Sequence, residues 1–170
     1  MKYLYLPLMA LLALILNANP NQKVLDNSEN YTFKETSNID LKLYVFKPDD
    51  WDASQKRSAI VFYFGGGWNN RHITQFVAFA QYYASKGFVC FIPNYRVRVS
   101  ENSQAIDSVR DAQDAFAYVR KNAEQFGIDK NRIAASGGSA GGHLAASLGT
   151  LKDEKNKAYS KPNALILFNP

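Results

Sequence analysis

Cysteine is nearly missing from this 170-residue sequence. The single Cys90 excludes an intramolecular disulfide framework, and one cysteine with two histidines cannot close a structural zinc site. Long hydrophobic runs are missing too. The longest, Tyr3 to Leu16, is about 14 residues, short of the ~20 that a stable membrane-crossing helix needs, so no stable membrane anchor is expected. Blocks of one charge sign do not occur either. Lys+Arg 20 against Asp+Glu 15 leaves a net charge of +5, but charged residues make up 21% and are scattered, which gives no footprint for nucleic acid. Neither glycine cluster forms G-x-G-x-x-G or runs into G-K-[ST], which speaks against a phosphate cradle. What remains is 46% hydrophobic and 14% aromatic, the composition of an ordinary globular domain.

Lys2, the apolar run and Asn17-Ala18-Asn19-Pro20 read as the charged, hydrophobic and cleavage regions of a signal peptide over residues 1–18, and imply an exported, periplasmic or extracellular protein. Residues 19–29 follow as an exposed N-terminal segment. Residues 30–170 alternate two hydrophobic periods. Tyr31 to Lys34 and Ile39 to Phe46 alternate polar and apolar residues, as the half-buried strands of an edge hairpin do. Ala59 to Phe64, Phe88 to Ile92, Ile133 to Ala135 and Ala164 to Phe168 are almost continuously apolar, as strands buried on both faces of a parallel sheet are. Between them lie helical patterns. Gln75 to Lys86 stops at Gly87, and Ala105, Val109, Ala112, Phe116, Val119 and Ala123 place an apolar stripe on one face of a long helix. The order predicts an α/β fold, a three-layer α/β/α sandwich whose mostly parallel sheet begins with an antiparallel hairpin.

The chemistry concentrates in Ala135-Ser136-Gly137-Gly138-Ser139-Ala140-Gly141-Gly142-His143, where a buried strand runs through G-x-S-x-G into a small-residue helix. A serine on so tight a strand-to-helix turn needs neighbours two before and two after it without side chains, and Gly137 and Gly141 meet that need. The turn lifts the Ser139 hydroxyl above the sheet as a candidate nucleophile. The Ala140 amide then sits at a helix N-terminus, able to donate to a developing oxyanion. Phe64-Gly65-Gly66-Gly67-Trp68 ends an earlier buried strand, and its glycines let further N–H groups approach a carbonyl oxygen closely.

These motifs, with Pro93-Asn94-Tyr95-Arg96 and Tyr118-Val119-Arg120, make residues 30–170 resemble the N-terminal part of an α/β-hydrolase. The resemblance is to the bacterial esterase/lipase group similar to hormone-sensitive lipase, including its acetyl- and feruloyl-esterase-like members. It implies hydrolysis of small carboxylic esters, including acyl groups on carbohydrate, by a Ser-His-Asp triad with no metal or organic cofactor. By position it makes Ser139 the nucleophile and the amides of Gly66, Gly67 and Ala140 the oxyanion hole. The family loop usually begins His-Gly-Gly-Gly; here Phe64 stands in place of that histidine, which chiefly shapes the loop. In the family the acid and the histidine follow the serine on loops after later strands. Residues 30–170 are accordingly expected to be a partial domain lacking both.

The remaining candidates are weighed against plainer roles. His143 is expected to turn into packing around the elbow, Asp153 and Glu154 to sit solvated in a charged loop, and Cys90 to fill the core. Trp68 and His72 are candidates for the substrate pocket. Arg96 and Arg98, with Asp107, Asp111 and Asp114, are expected to form ion pairs rather than a metal site. Two other functions fit the same elbow: an inactive truncated hydrolase or binding module, and a peptidase of the prolyl-oligopeptidase type.

Overall fold

The β-branched and aromatic runs of this chain pair into one six-stranded sheet in a computed structural model that describes residues 19–153, 155–156 and 159–170. The signal peptide read in residues 1–18, and Glu154, lie outside the described residues. The strands are β1 (Glu29–Glu35), β2 (Asp40–Phe46), β3 (Arg57–Tyr63), β4 (Val89–Pro93), β5 (Ile128–Gly138) and β6 (Ala164–Phe168), in the spatial order β1-β2-β4-β3-β5-β6. β1 to β2 and β2 to β4 are antiparallel, whereas β3 pairs in parallel with β4 on one side and β5 on the other, and β5 with β6.

Alternation along the strands divides the core between two faces. Ile60, Phe62, Cys90 and Ile92 point to one side, where they bury Leu25 of helix α1 (Pro20–Asp26) and Val77 and Ala80 of α2 (Val77–Ala84). Val61, Tyr63 and Phe91 point to the other, against Val109 and Phe116 of α4 (Ala105–Lys121) and Leu144 of α5 (Ala140–Thr150). A four-residue α3 (Arg98–Glu101) precedes α4. The three layers are those expected.

Four expectations are corrected. Residues 19–29 were expected to be simply exposed; α1 forms there instead, with Asn19 accepting from the Asn21 amide as its N-cap, and Leu25 docks into the core. β2 is not an edge strand, because its second side pairs with β4 through Leu43↔Pro93 to Phe46↔Cys90. The helix expected from Gln75 begins as a 3-10 turn, Ile73–Phe76, before α2. β6 is exposed rather than buried on both faces, because among the described residues only β5 pairs with it. Gly87 does end α2, at φ +91°, a backbone shape that side-chain-bearing residues seldom adopt.

β3 leads to β4 on one flank, while β5 returns to its other flank. The C-terminal ends of β3 and β5 thus lie side by side at a topological switch point, where open α/β sheets bind ligands. The register pairs Tyr63 with Gly137, so the loops that leave the two strands emerge together.

Candidate active site

Ser139 stands where β5 turns into α5, with φ +54° and ψ −124°, a backbone shape that costs a non-glycine residue on the order of 1–3 kcal/mol. The surroundings hold it there. Its amide donates to the Phe168 carbonyl at 3.0 Å and its carbonyl accepts from the His143 amide at 2.9 Å. The flanking glycines are required by space as well as by turning. A Cβ on Gly137 would lie 2.3 Å from the Gly141 carbonyl oxygen, and one on Gly141 would lie 2.1 Å from that of Tyr63. Ser139 is exposed, and its hydroxyl meets no hydrogen-bond partner among the described residues.

The glycine loop lies directly beside it: a Cβ on Gly65 would stand 3.3 Å from the Ser139 Cβ. Gly66, Gly67 and Trp68 all take positive φ, at +131°, +62° and +56°. The turn closes when the Asn69 and Asn70 amides donate to the Gly66 carbonyl, each at 3.0 Å. Gln75 then decides which amides remain open. Its Oε1 accepts from the Gly65 amide at 2.6 Å, whereas those of Gly66 and Gly67 meet no acceptor among the described residues. Ala140, as the first residue of α5, has an N–H without an acceptor inside its own helix. Chemically, this is a set of fixed donors next to an exposed hydroxyl, able to stabilise negative charge that develops on an oxygen bound between them.

Phe64 stands where the family's histidine would be, and its loop is held by Tyr95. The two rings stack at 4.0 Å between centroids, and the Tyr95 hydroxyl donates to the Phe64 carbonyl at 2.5 Å. Burial drives the Tyr95 phenol pKa above the ordinary tyrosine range, so the hydroxyl stays a donor. Tyr95 is pinned in turn by its neighbour. Arg96 grips the fully buried Asp111 through Nε and Nη2, each at 2.8 Å, and Lys34 donates to the same carboxylate at 2.6 Å. Asp114 is held by Lys34 and Lys155. These are ion pairs of the kind expected for Arg96 and the acidic helix face, whereas Arg98, expected to pair as well, forms no ion pair among the described residues.

The two pocket candidates part company. Trp68 lines a cavity of about 680 Å³ with Gly67, Asn69 and residues of the 98–105 segment. His72 is not among its lining residues; its ring carbon Cδ2 would be 3.0 Å from a Cβ on Gly66. His143 does not turn into the elbow packing. It is exposed and meets Trp68 edge-on, with ring centroids 5.1 Å apart, because its place on the first turn of α5 faces the glycine loop. Neither histidine ring is hydrogen-bonded to a carboxylate among the described residues. Asp153 accepts from the amides of Lys155 and Asn156 and so shapes its own loop. Cys90 is fully buried, and burial pushes its thiol well above the usual range, which leaves it inert. Gln75 is the site residue that sequence reasoning missed.

Known proteins are similar to this chain in sequence and fold. Esterase 2 of Thermogutta terrifontis, in its structure phosphonylated by cyclosarin, is 42% identical and superposes with a TM-score of 0.81 over 86% of this chain and 57% of that one. The esterase LipC of Mycobacterium tuberculosis is 36% identical over 101 residues, which are 58% of this chain and 25% of LipC. The acetylxylan esterase of Xylanibacter ruminicola is 31% identical over 85 residues, half of this chain and 16% of that enzyme. The chain thus spans a quarter or less of these two curated relatives and little more than half of the structural one. The six-stranded sheet with its flanking helices is the α/β-hydrolase fold of the esterase it superposes on. Residues 43–165 match the BD-FAE model, and the chain belongs to the BD-FAE family.

Proposed function

We propose that this chain carries the nucleophile and the oxyanion-stabilising half of a serine hydrolase that cleaves small carboxylic esters, among them acyl groups on carbohydrate. Ser139 attacks the ester carbonyl, and the amides of Gly66, Gly67 and Ala140 take up the charge on its oxygen. The alcohol leaves, and water releases the acyl group from the serine. The observation that carries this reading is the strained, exposed Ser139 set beside the Gly66 and Gly67 amides, which meet no acceptor among the described residues. The names of the relatives, esterases and an acetylxylan esterase, support the reaction class and the carbohydrate substrate. The general base is assigned to neither His72 nor His143, because among the described residues neither ring is held by a carboxylate as a triad imidazole is. The triad acid and base are proposed to come from outside these residues, and the leader read in residues 1–18 makes the enzyme an exported one.

Acylation tests the proposal. Oxyanion binding and orientation alone retain roughly 10³–10⁴-fold catalysis over water when triad members are removed. p-Nitrophenyl acetate should therefore place one acetyl group on Ser139, read by mass spectrometry of the peptide that bears it, and none on that peptide in Ser139→Ala. Acetylation confined to lysines, and equal in both proteins, would overturn it.

A further inference from the structure

The cavity beside the glycine loop is lined by a guanidinium, an indole, a hydroxyl and the side-chain amides of Asn69, Asn102 and Gln104. One wall is Gly67, Trp68 and Asn69, next to the serine turn; the other is Arg98, Ser103 and the N-terminal end of α4 at Gln104 and Ala105. The two walls are tied together by the Arg98 amide donating to the Trp68 carbonyl at 2.8 Å and the Val99 amide to that of Asn69 at 3.1 Å. At about 680 Å³ the space lies within the ~300–1,000 Å³ of small-molecule sites.

Two buried polar groups in these walls have no partner among the described residues: the Trp68 indole Nε1 and the Ser103 hydroxyl, the latter on a residue only 8% exposed. An orphaned buried donor is costly unless something fills its place. An indole N–H can only donate, and a guanidinium offers five donors and no acceptor. Arg98 forms no ion pair among the described residues. The 17-residue α4 begins at this wall, where the Asp107 carboxylate already caps its N-terminus. Among the described residues no carboxylate lines the cavity. Of the acids in this segment, Glu101 pairs with Arg71 and accepts from the Val97 amide, whereas Asp107 caps α4 by accepting from the Gln104 amide.

We propose that this cavity is a subsite for an anionic group, a carboxylate or phosphate carried by the ester substrate, held by Arg98, Ser103 and the Trp68 indole. The inference rests on the reading of Ser139 as nucleophile for its use in catalysis, but binding of the anion does not require turnover.

The test is therefore a binding one, with benzoate, its neutral analogue benzamide and inorganic phosphate as probes, followed by NMR at the two indole N–H groups. Benzoate should shift the Trp68 indole saturably and leave that of Trp51, which donates to the Phe126 carbonyl at 2.9 Å, in place. Benzamide should bind about tenfold more weakly, as should benzoate to Arg98→Gln, the loss expected when a charge-assisted hydrogen bond is removed. Ser103→Ala should weaken benzoate about threefold. Phosphate that competes with benzoate assigns the site to oxyanions in general, and phosphate that does not assigns it to carboxylates. Equal binding of benzoate and benzamide, unchanged affinity in both variants, or a shift confined to Trp51 would overturn the proposal. Acetylation of Ser139 is scored separately with a neutral ester. Benzoate binding without acetylation removes the esterase reading alone, and acetylation without benzoate binding removes the subsite alone.

Discussion

Gln75 accepts a hydrogen bond from the Gly65 amide at 2.6 Å, across ten residues of chain, and so fixes the first peptide of the loop that faces Ser139. This contact leaves the Gly66 and Gly67 amides as the open donors. Because electrostatic stabilisation depends on donors held in place before reaction, loosening Gly65 should slow acylation without unfolding the protein. Gln75→Ala should lower the rate of Ser139 acetylation by p-nitrophenyl acetate about tenfold, and Gln75→Glu, which keeps the acceptor, should restore most of it. Far-ultraviolet circular dichroism should be unchanged in both. A fall in rate that tracks a loss of helix signal would mean that Gln75 only supports folding.

The serine turn should show opposite effects on stability and reactivity. Ser139→Gly relieves the strain at φ +54°, and after the entropic cost of glycine should stabilise the fold by about 1 kcal/mol in urea denaturation. Ser139→Ala keeps a Cβ in the same backbone shape and should gain nothing. Gly141→Ala should cost more than about 3 kcal/mol, because its Cβ would press on the carbonyl oxygens of Tyr63 and Phe64. Gly67→Ala, whose Cβ meets nothing within 4 Å, should cost only about 1–2 kcal/mol for its left-handed backbone. Equal losses at Gly67 and Gly141 would contradict this account of the turn.

Much of this was legible before the structure, and the limits follow from range in sequence. Apolar runs at Ala59 to Phe64 and Phe88 to Ile92 disclose buried parallel strands because burial on both faces leaves no room for polar residues. Gly137 and Gly141 are legible because the turn they serve is local. β2 was misplaced because alternation reports which face is wet, not how many of a strand's edges are paired. β5 begins earlier than its apolar core because Arg57 pairs with Ile128 before the register shifts, and the polar residues from Asp129 to Arg132 bridge the interval. Gln75 leaves no trace in periodicity: one amide side chain reaching a loop ten residues earlier looks like any exposed glutamine at a helix start.

Arg96 and Asp111 join the C-terminal end of β4 to α4, and through Tyr95 they steady the glycine loop. Asp111 is fully buried and accepts from the Arg96 amide as well as its guanidinium, so its removal strands a cation and an amide together. Asp111→Ala should cost about 3–5 kcal/mol in urea denaturation. Lys34→Met, which removes a partly exposed cation from the same carboxylate, should cost under about 1 kcal/mol. If the two losses are equal, the bidentate arginine contact is not what holds this junction.

Asp114 sets an acid limit on the loop that precedes β6. Burial alone would raise its carboxyl pKa, but hydrogen bonds from Lys155, Lys34 and Asn156 outweigh burial and hold it below the ordinary range. A carboxyl whose pKa is lower folded than unfolded stabilises the fold above the unfolded value of about 3.9, and that contribution fades as pH falls through the folded value. Lys34 has the opposite sign: its pKa is raised, despite burial, by Asp111 and Asp114, so its share is complete below about 10.4 and fades only above that. Between those limits the Lys34–Asp114–Lys155 link should be insensitive to pH. Below pH 4 the link should open, and amides near Lys155 and Asn156 should exchange hydrogen faster while those of β3 stay protected. Asp114→Asn should show the faster exchange already at pH 7 and lose its acid dependence. Exchange there that rises with acid equally in Asp114→Asn and the parent would assign the acid response to another carboxylate.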